Sequence, residues 1–163
     1  MNGHQFTADE IERLAQPVPR YTSYPTAPHF STAVGPGHYR RWLETLPERA
    51  SLSLYAHMPF CDTLCWFCGC NTKITRQYAP ITAYLDALLA EIALIGDIVP
   101  ASARADHIHW GGGSPTILAA QDIHKLADAL RAAFNVSRHA AFAVEVDPRG
   151  STTSASMRSP SPG

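Results

Sequence analysis

The sequence lacks an excess of charge of either sign, and it also lacks a long apolar run. Its 163 residues include 13 Lys and Arg and 14 Asp and Glu, which gives a formal net charge of -1. This balance argues against nucleic acid or an anionic membrane as a partner, because both attract strongly basic proteins. No uninterrupted apolar stretch approaches the roughly 18 residues of a membrane span. The polar N-terminus has no apolar region typical of a secretory signal, and we therefore expect a cytoplasmic protein.

Cysteine is scarce, and its four copies all lie in one short segment. Cys61, Cys65 and Cys68 have the spacing C-x3-C-x2-C, and Cys70 follows two residues later. Three thiolates at this spacing can reach three irons of a four-iron cluster, so that the fourth iron stays open to a small-molecule ligand. The sequence therefore predicts a [4Fe–4S] cluster on the first three cysteines and assigns no ligand role to Cys70. A zinc site, or free or bridged thiols, are the alternatives.

The segment 51–149 has the pattern βαβαβ. Alternating and β-branched residues predict strands at 52–57, 107–110 and 141–146. Apolar residues at helical spacing predict two helices, one that begins at Pro80 and ends near Gly96 as its C-cap, and one at 123–134. Strands that alternate with helices are typical of parallel sheets with right-handed crossovers. The predicted fold class is therefore α/β.

The two ends of the chain differ from this core. Residues 1–50 form an N-terminal arm with short helices predicted at 7–14 and 38–46. Thr7 is the expected N-cap of the first helix, and Glu10 would complete a capping box. Residues 150–163 are dominated by Ser, Thr, Pro and Gly, and we expect them to be a disordered, non-native tail.

Three features follow the predicted strands and converge at one edge of the sheet. The cysteine loop follows the first strand, the glycines Gly111–Gly113 follow the second, and Glu145 lies at the end of the third. The carboxyl ends of parallel strands meet at the same edge, where α/β barrels carry their chemistry. Consecutive glycines permit close approach of a ligand, although they also occur in plain flexible loops. An inward-facing Glu145 needs a hydrogen-bond partner, since burying an unpaired carboxylate is costly.

Four more side chains near this edge have ordinary structural interpretations. Tyr55 is expected near the end of the first strand, where packing alone would explain it. His57, His107 and His109 lie on strands without a spacing that matches a metal site, so we interpret them as structural.

The sequence resembles the family of oxygen-independent coproporphyrinogen III oxidases, within the radical S-adenosylmethionine (SAM) superfamily. The similar segments are 20–26 (Arg-Tyr-Thr-Ser-Tyr-Pro-Thr), 55–71, 109–116 and 145–149. The resemblance runs from about Arg20 to Arg149. Ser114 stands where the family commonly has Thr, and the hydroxyl is kept. By this resemblance the fold is the N-terminal part of a partial (β/α) TIM-like barrel.

The resemblance also implies roles for individual residues. Cys61, Cys65 and Cys68 would ligate the cluster, whose open iron binds SAM. That SAM would be held by three further residues, and a second SAM would contact another three. The first set is Tyr55, Gly112 and Glu145, and the second set is Phe67, Gly113 and Ser114.

The activity implied by the resemblance is a radical oxidative decarboxylation. Two propionates of coproporphyrinogen III would each lose a hydrogen atom, CO2 and one further electron, giving protoporphyrinogen IX in haem biosynthesis. The expected partners are this small-molecule substrate and a reducing electron donor, and we expect a monomer. The resemblance singles out no other catalytic residue.

Three strands are too few to close a barrel. We therefore expect the chain to be a truncated or frame-shifted product with little or no turnover by itself. Two other functions stay open. One is a haem-chaperone-like relative that binds haem without dehydrogenase activity, and the other is a small zinc-binding protein.

Overall fold

A computed structural model describes residues 7–15, 27–66 and 68–149 of the chain. The predictions made for the arm segment 20–26, for Phe67 and for the tail 150–163 lie outside the described residues. By its contacts the chain divides into two units, Met1–Pro36 and Gly37–Gly163.

The described part of the first unit contains helix α1, Ala8–Leu14, and a short 3-10 turn at Ala27–His29. The Thr7 hydroxyl accepts a hydrogen bond from the Glu10 backbone N–H, and the Glu10 carboxylate accepts one from the Thr7 N–H at 2.9 Å. This reciprocal pair confirms the predicted capping box.

Three parallel strands and two helices make up most of the second unit. Helix α2 spans Pro36–Glu44, so it begins and ends two residues earlier than predicted. The remaining long elements occur in the predicted order. They are β1 (Ser51–Met58), α3 (Ala79–Gly96), β4 (Arg104–Gly112), α4 (Ala120–Ala133) and β5 (Val136–Val144). The first two of these strands extend one to three residues beyond each predicted end, whereas the third begins five residues earlier and ends two residues earlier than predicted. Two short strands missed by the sequence analysis, β2 (Phe60–Cys61) and β3 (Lys73–Ile74), pair with each other.

The main sheet has the strand order β1-β4-β5, and both pairings are parallel. This confirms the predicted α/β class. The register places Tyr55 beside His109, and His57 beside Gly111. Since alternate residues of a strand face the same side, these side chains share one face of the sheet.

Helices α3 and α4 cover the opposite face and bury the core. Leu85 of α3 and Leu126 of α4 are each 1% exposed, and Trp110 of β4 is buried with them. The predicted C-cap role of Gly96 is wrong, because Gly96 is the last helical residue and Asp97 follows with φ −67°. Gly96 is instead a packing glycine, since a Cβ there would lie 2.7 Å from the Cβ of Ala133 in α4.

Helix α3 is long and apolar enough to cross a membrane, judged by length and composition alone. The core helix of a globular domain meets the same criterion. Ile81, Leu85 and Ile92 of this helix are buried against the sheet and α4. The expectation that the chain has no membrane span stays a prediction.

Leu85→Ala measures how much of the stability comes from the contact of α3 with the sheet. We expect the free energy of unfolding to fall by about 2–5 kcal/mol, because the substitution leaves a cavity in a packed core. The matched control on the same helix is Leu94→Ala. Leu94 is 54% exposed, so its truncation should cost much less. Urea unfolding followed by circular dichroism compares the two, and equal losses would contradict this packing.

A buried carboxylate joins α3 to α4. Asp122 accepts a hydrogen bond from the Tyr78 hydroxyl at 2.5 Å and one from Lys125 Nζ at 2.8 Å. The Tyr78 hydroxyl in turn accepts one from the backbone N–H of Ala119 at 2.8 Å, just before α4 begins. These donors favour the ionised form, so the hydrogen bonds from Lys125 and Tyr78 hold the pKa of Asp122 below its ordinary value.

This pKa predicts a loss of stability in acid. A carboxyl group with a lowered pKa in the folded state stabilises the fold above its unfolded pKa of about 3.9, and this contribution is lost as the pH falls through the folded pKa. We expect Asp122→Asn to flatten the decline of the unfolding free energy below about pH 4. The control is Asp128→Asn, because Asp128 lies on the surface in an exposed pair with Arg131. If both variants kept the same acid dependence as the parent chain, Asp122 would not be its source.

Candidate functional site

The cysteine loop, residues 61–72, is closed at its base by the short β2–β3 pair, which includes Cys61. The backbone N–H of Lys73 donates to the Pro59 carbonyl at 2.6 Å, and that of Thr75 donates to the Cys61 carbonyl at 2.9 Å. Both ends of the loop therefore leave the fold at the same point, directly after β1. A tight turn within it joins the Cys68 N–H to the Cys65 carbonyl at 3.1 Å.

The thiols of this loop differ in their surroundings. Burial raises the pKa of Cys61, partly offset by the backbone N–H of Ser114. The pKa of Cys68 is lowered by the Cys70 backbone N–H and then by the Thr72 hydroxyl, 3.7 Å away. Slight loss of contact with solvent, followed by the charge of Cys68, raises the pKa of the exposed Cys70 thiol. The thiolate is the metal-binding form, so Cys68 is the thiol with the clearest local support for ionisation.

These thiols are neighbours, but they are not gathered around one point. Within residues 7–15, 27–66 and 68–149, no group of three or more His, Cys, Asp or Glu side chains is arranged to hold a metal ion. Cys61 still lies close enough to Cys65 and Cys68 for their charges to raise the pKa of its thiol. The structure therefore brings the predicted ligands to one loop without the geometry of a finished site.

The glycine segment after β4 is tied directly to the cysteine segment after β1. The Gly113 N–H donates to the Met58 carbonyl at 2.7 Å, and the Ser114 N–H donates to the Phe60 carbonyl at 2.9 Å. This parallel pairing extends beyond the ends of both strands. It places the two motifs side by side at the carboxyl edge of the sheet, as the sequence predicts.

At two of these glycines, a larger residue would clash with neighbouring atoms. Gly112 has φ +106°, and a Cβ there would clash with the His57 ring. At Gly113 a Cβ would clash with the Phe60 carbonyl oxygen and would lie 2.8 Å from that of Met58. Glycine is therefore required for the close approach of the chain to itself as well as for any approach of a ligand.

Glu145 lies just past β5 and turns its carboxylate toward the glycine segment. One oxygen accepts a hydrogen bond from the Gly112 N–H at 2.9 Å, and the other lies 3.2 Å from His109 Nε2. These two contacts are the hydrogen-bond partners that the sequence analysis expected this carboxylate to need. The sequence analysis did not identify His109 as the partner. His109 pairs with Ala143, two residues before Glu145, and this alternation places His109 and Glu145 on the same face.

Tyr55 completes this polar face. Its hydroxyl lies 3.0 Å from His57 Nδ1, and its ring packs edge-on against His109 with centroids 5.4 Å apart. Partial loss of contact with solvent, followed by the charge of Glu145, raises the pKa of the Tyr55 hydroxyl, which stays protonated and can donate a hydrogen bond. The structure therefore groups Tyr55, Gly112 and Glu145, and the role in SAM binding that the resemblance implies for them stays a prediction.

Ser114 is buried and faces a different set of groups. Its hydroxyl lies 2.9 Å from Thr116 Oγ1 and accepts a hydrogen bond from the Asp147 N–H at 3.3 Å. Asp147 pairs with Arg149, whose Nη2 donates to Cys65 Sγ at 3.0 Å. Sequence reasoning did not find this link between the end of the third strand and the cysteine loop.

A cleft of about 380 Å³ opens between the cysteine loop and the start of α3. None of the described residues predicted to hold a cluster or SAM lines it. Its walls are Asp62, Thr63, Thr75, Arg76, Gln77, Tyr78, Ile81 and Ile117.

Comparison with known proteins gives close relatives over most of the chain. An oxygen-independent coproporphyrinogen III oxidase of Bradyrhizobium diazoefficiens is 52% identical over 132 residues, which is 81% of this chain and 29% of that protein. The protein of the same name from Paracoccus denitrificans is 46% identical over 142 residues, or 85% of this chain and 32% of the relative. That of Escherichia coli is 46% identical over 139 residues, or 85% and 30%. No protein-family model matches the chain.

The fold agrees with these sequence matches. A solved structure of coproporphyrinogen III oxidase (HemN) from Escherichia coli, described as a radical SAM enzyme, matches with a TM-score of 0.74 and 43% identity. The match covers 81% of this chain and 30% of that one. The resemblance inferred from the motifs and the predicted fold are therefore confirmed, and the chain spans about a third of the length of the relatives it matches.

Gly113→Ala tests the close contact between the glycine and cysteine segments. Because the new Cβ would meet two backbone carbonyl oxygens, we expect the free energy of unfolding to fall by about 1–3 kcal/mol. The control is Gly37→Ala in α2, where nothing lies within 4 Å of the added Cβ and alanine favours the helix. Urea unfolding gives both values. A Gly113→Ala variant as stable as the control would contradict the contact.

Proposed function

We propose that this chain, which over four fifths of its length is homologous to oxygen-independent coproporphyrinogen III oxidases, supplies the part of such an oxidoreductase that binds an iron–sulfur cluster and SAM. The reaction is the oxidative decarboxylation of two propionates of coproporphyrinogen III to give protoporphyrinogen IX in haem biosynthesis. One observation carries the proposal. A three-thiol loop, a glycine segment and Glu145 meet at one edge of a parallel sheet.

The donor set of the loop fits an iron–sulfur cluster in its chemistry, since such clusters are held by cysteine thiolates. Cys61, Cys65 and Cys68 would hold a [4Fe–4S] cluster, and Cys70 would not. Ligation by all three requires the loop to close around the cluster, because the described thiols do not form a metal-holding group as they stand. The β2–β3 pair anchors both ends of the loop during this closure.

The polar face beside the loop would hold SAM. Glu145 keeps one oxygen on the Gly112 N–H, while its longer contact with His109 is the one that a ribose hydroxyl of SAM would displace. Tyr55 is more than half exposed, and it lies within reach of the same ligand. If both groups bind here, they would supply the one-electron chemistry needed to remove a hydrogen atom from a propionate.

A second SAM would contact Gly113, Ser114 and Phe67, the last of which lies outside the described residues. Partners of the whole enzyme would be coproporphyrinogen III and a reducing electron donor. The proposed location is the cytoplasm, where thiols are kept reduced, and the proposed state is a monomer.

Anaerobic reconstitution with iron and sulfide tests the cluster directly. We expect about four irons per chain and a brown protein whose absorption changes on addition of SAM. Cys65→Ala should lose most of the bound iron, because the remaining thiols ligate too few corners. Cys70→Ala is the matched control from the same loop, and it should retain the iron of the parent chain.

Each alternative gives a different result in this experiment. One zinc per chain in place of iron would indicate a zinc-binding protein. Haem binding without a spectral response to SAM would indicate a haem-binding relative. Equal iron loss in the Cys65→Ala and Cys70→Ala variants would refute the proposed ligand set.

A further inference from the structure

Arg149 makes a contact that the proposed cluster and SAM ligands do not explain. Its Nη2 donates to Cys65 Sγ at 3.0 Å, across a separation of 84 residues in sequence. Cys65 is the middle residue of the three proposed ligands. An N–H group of a cation that points at a ligand sulfur is one of the main means by which proteins adjust an iron–sulfur cluster.

The guanidinium is held in place by a carboxylate. Arg149 Nη2 lies 2.6 Å from Asp147 Oδ2, and Arg149 Nε lies 3.0 Å from Oδ1. The Arg149 backbone N–H also donates to Oδ1 at 2.9 Å. Such a planar, multiply bonded pair fixes the direction of the guanidinium far better than a single exposed contact does.

The carboxylate is itself anchored to the glycine segment. The Asp147 backbone N–H donates to the Ser114 hydroxyl, and the Asp147 side chain is only 16% exposed. The hydrogen bonds from Arg149 lower the pKa of Asp147 to about 2, so the pair remains charged at neutral pH. A continuous set of hydrogen bonds thus runs from Ser114 through Asp147 and Arg149 to Cys65.

We propose that Arg149 is a positioning residue that holds the Cys65 sulfur by an N–H···S hydrogen bond and thereby raises the reduction potential of the cluster bound there. The inference rests on the proposed function, since it requires the cluster. Reduction adds negative charge to the cluster and its thiolates. A cation and a hydrogen-bond donor at one of these sulfurs stabilise the reduced form more than the oxidised form.

The experiment is a reductive titration of the reconstituted chain with dithionite, followed by electron paramagnetic resonance. We compare the parent chain with Arg149→Gln, which removes the charge, and with Arg149→Lys, which keeps the charge but not the planar fork. The control is Arg131→Gln, since Arg131 also pairs with an aspartate but lies in the last turn of α4, at the opposite end of the sheet.

We expect the midpoint potential of Arg149→Gln to become more negative, with about a tenfold smaller ratio of reduced to oxidised cluster at a fixed potential, or about 59 mV for one electron. Arg149→Lys should shift in the same direction by less, and Arg131→Gln should not shift. Arg149 is about half exposed, so circular dichroism should show all variants folded. If Arg149→Gln holds too little iron to titrate, the comparison between Arg149→Lys and the parent chain decides.

Two failures are distinguishable. If the parent chain assembles a cluster and its potential is the same in both Arg149 variants, the role of Arg149 is refuted while the proposed function stands. A lower iron content with an unchanged potential would likewise reduce Arg149 to a merely structural role and refute the inference. If the parent chain assembles no cluster at all, the proposed function and this inference fall together.

Discussion

The candidate site depends on the continuation of the β1–β4 pairing beyond the two strands. The backbone N–H groups of Gly113 and Ser114 donate to the carbonyls of Met58 and Phe60, so the glycine segment lies directly against the start of the cysteine loop. A side chain at Gly113 would occupy the space of these carbonyl oxygens, so the two segments could not keep this close contact.

Two charged arrangements extend from this edge in different directions. On one face of the sheet, Glu145 bridges the Gly112 N–H and His109. Past the end of β5, Asp147 holds Arg149 against Cys65. Glu145 and Asp147 lie only two residues apart in the chain. Glu145 faces the proposed SAM site, whereas Asp147 holds Arg149 against Cys65 of the cysteine loop. The third strand therefore contributes to both halves of the proposed site.

The helices stabilise the sheet without entering the site. Leu85 and Leu126 fill the core on the face opposite Glu145, and Asp122 joins the two helices through Tyr78. Local sequence and packing agree in these elements, which explains why their positions were predicted to within a few residues. The two helices leave the polar face of the sheet to the residues proposed to bind SAM.

The sequence by itself determined the order and type of the long elements, because hydrophobic periodicity and the Thr7 capping box are local signals. It also determined that the cysteines, the glycines and Glu145 share one edge, since parallel strands bring their carboxyl ends together. Only the tertiary structure decided the contacts of Arg149 with Cys65 and of His109 with Glu145. These depend on strand register and on the path of the loop after β1, which no pattern within a single segment specifies. The same reason explains Gly96, whose role depends on the nearby Ala133 rather than on the end of its own helix.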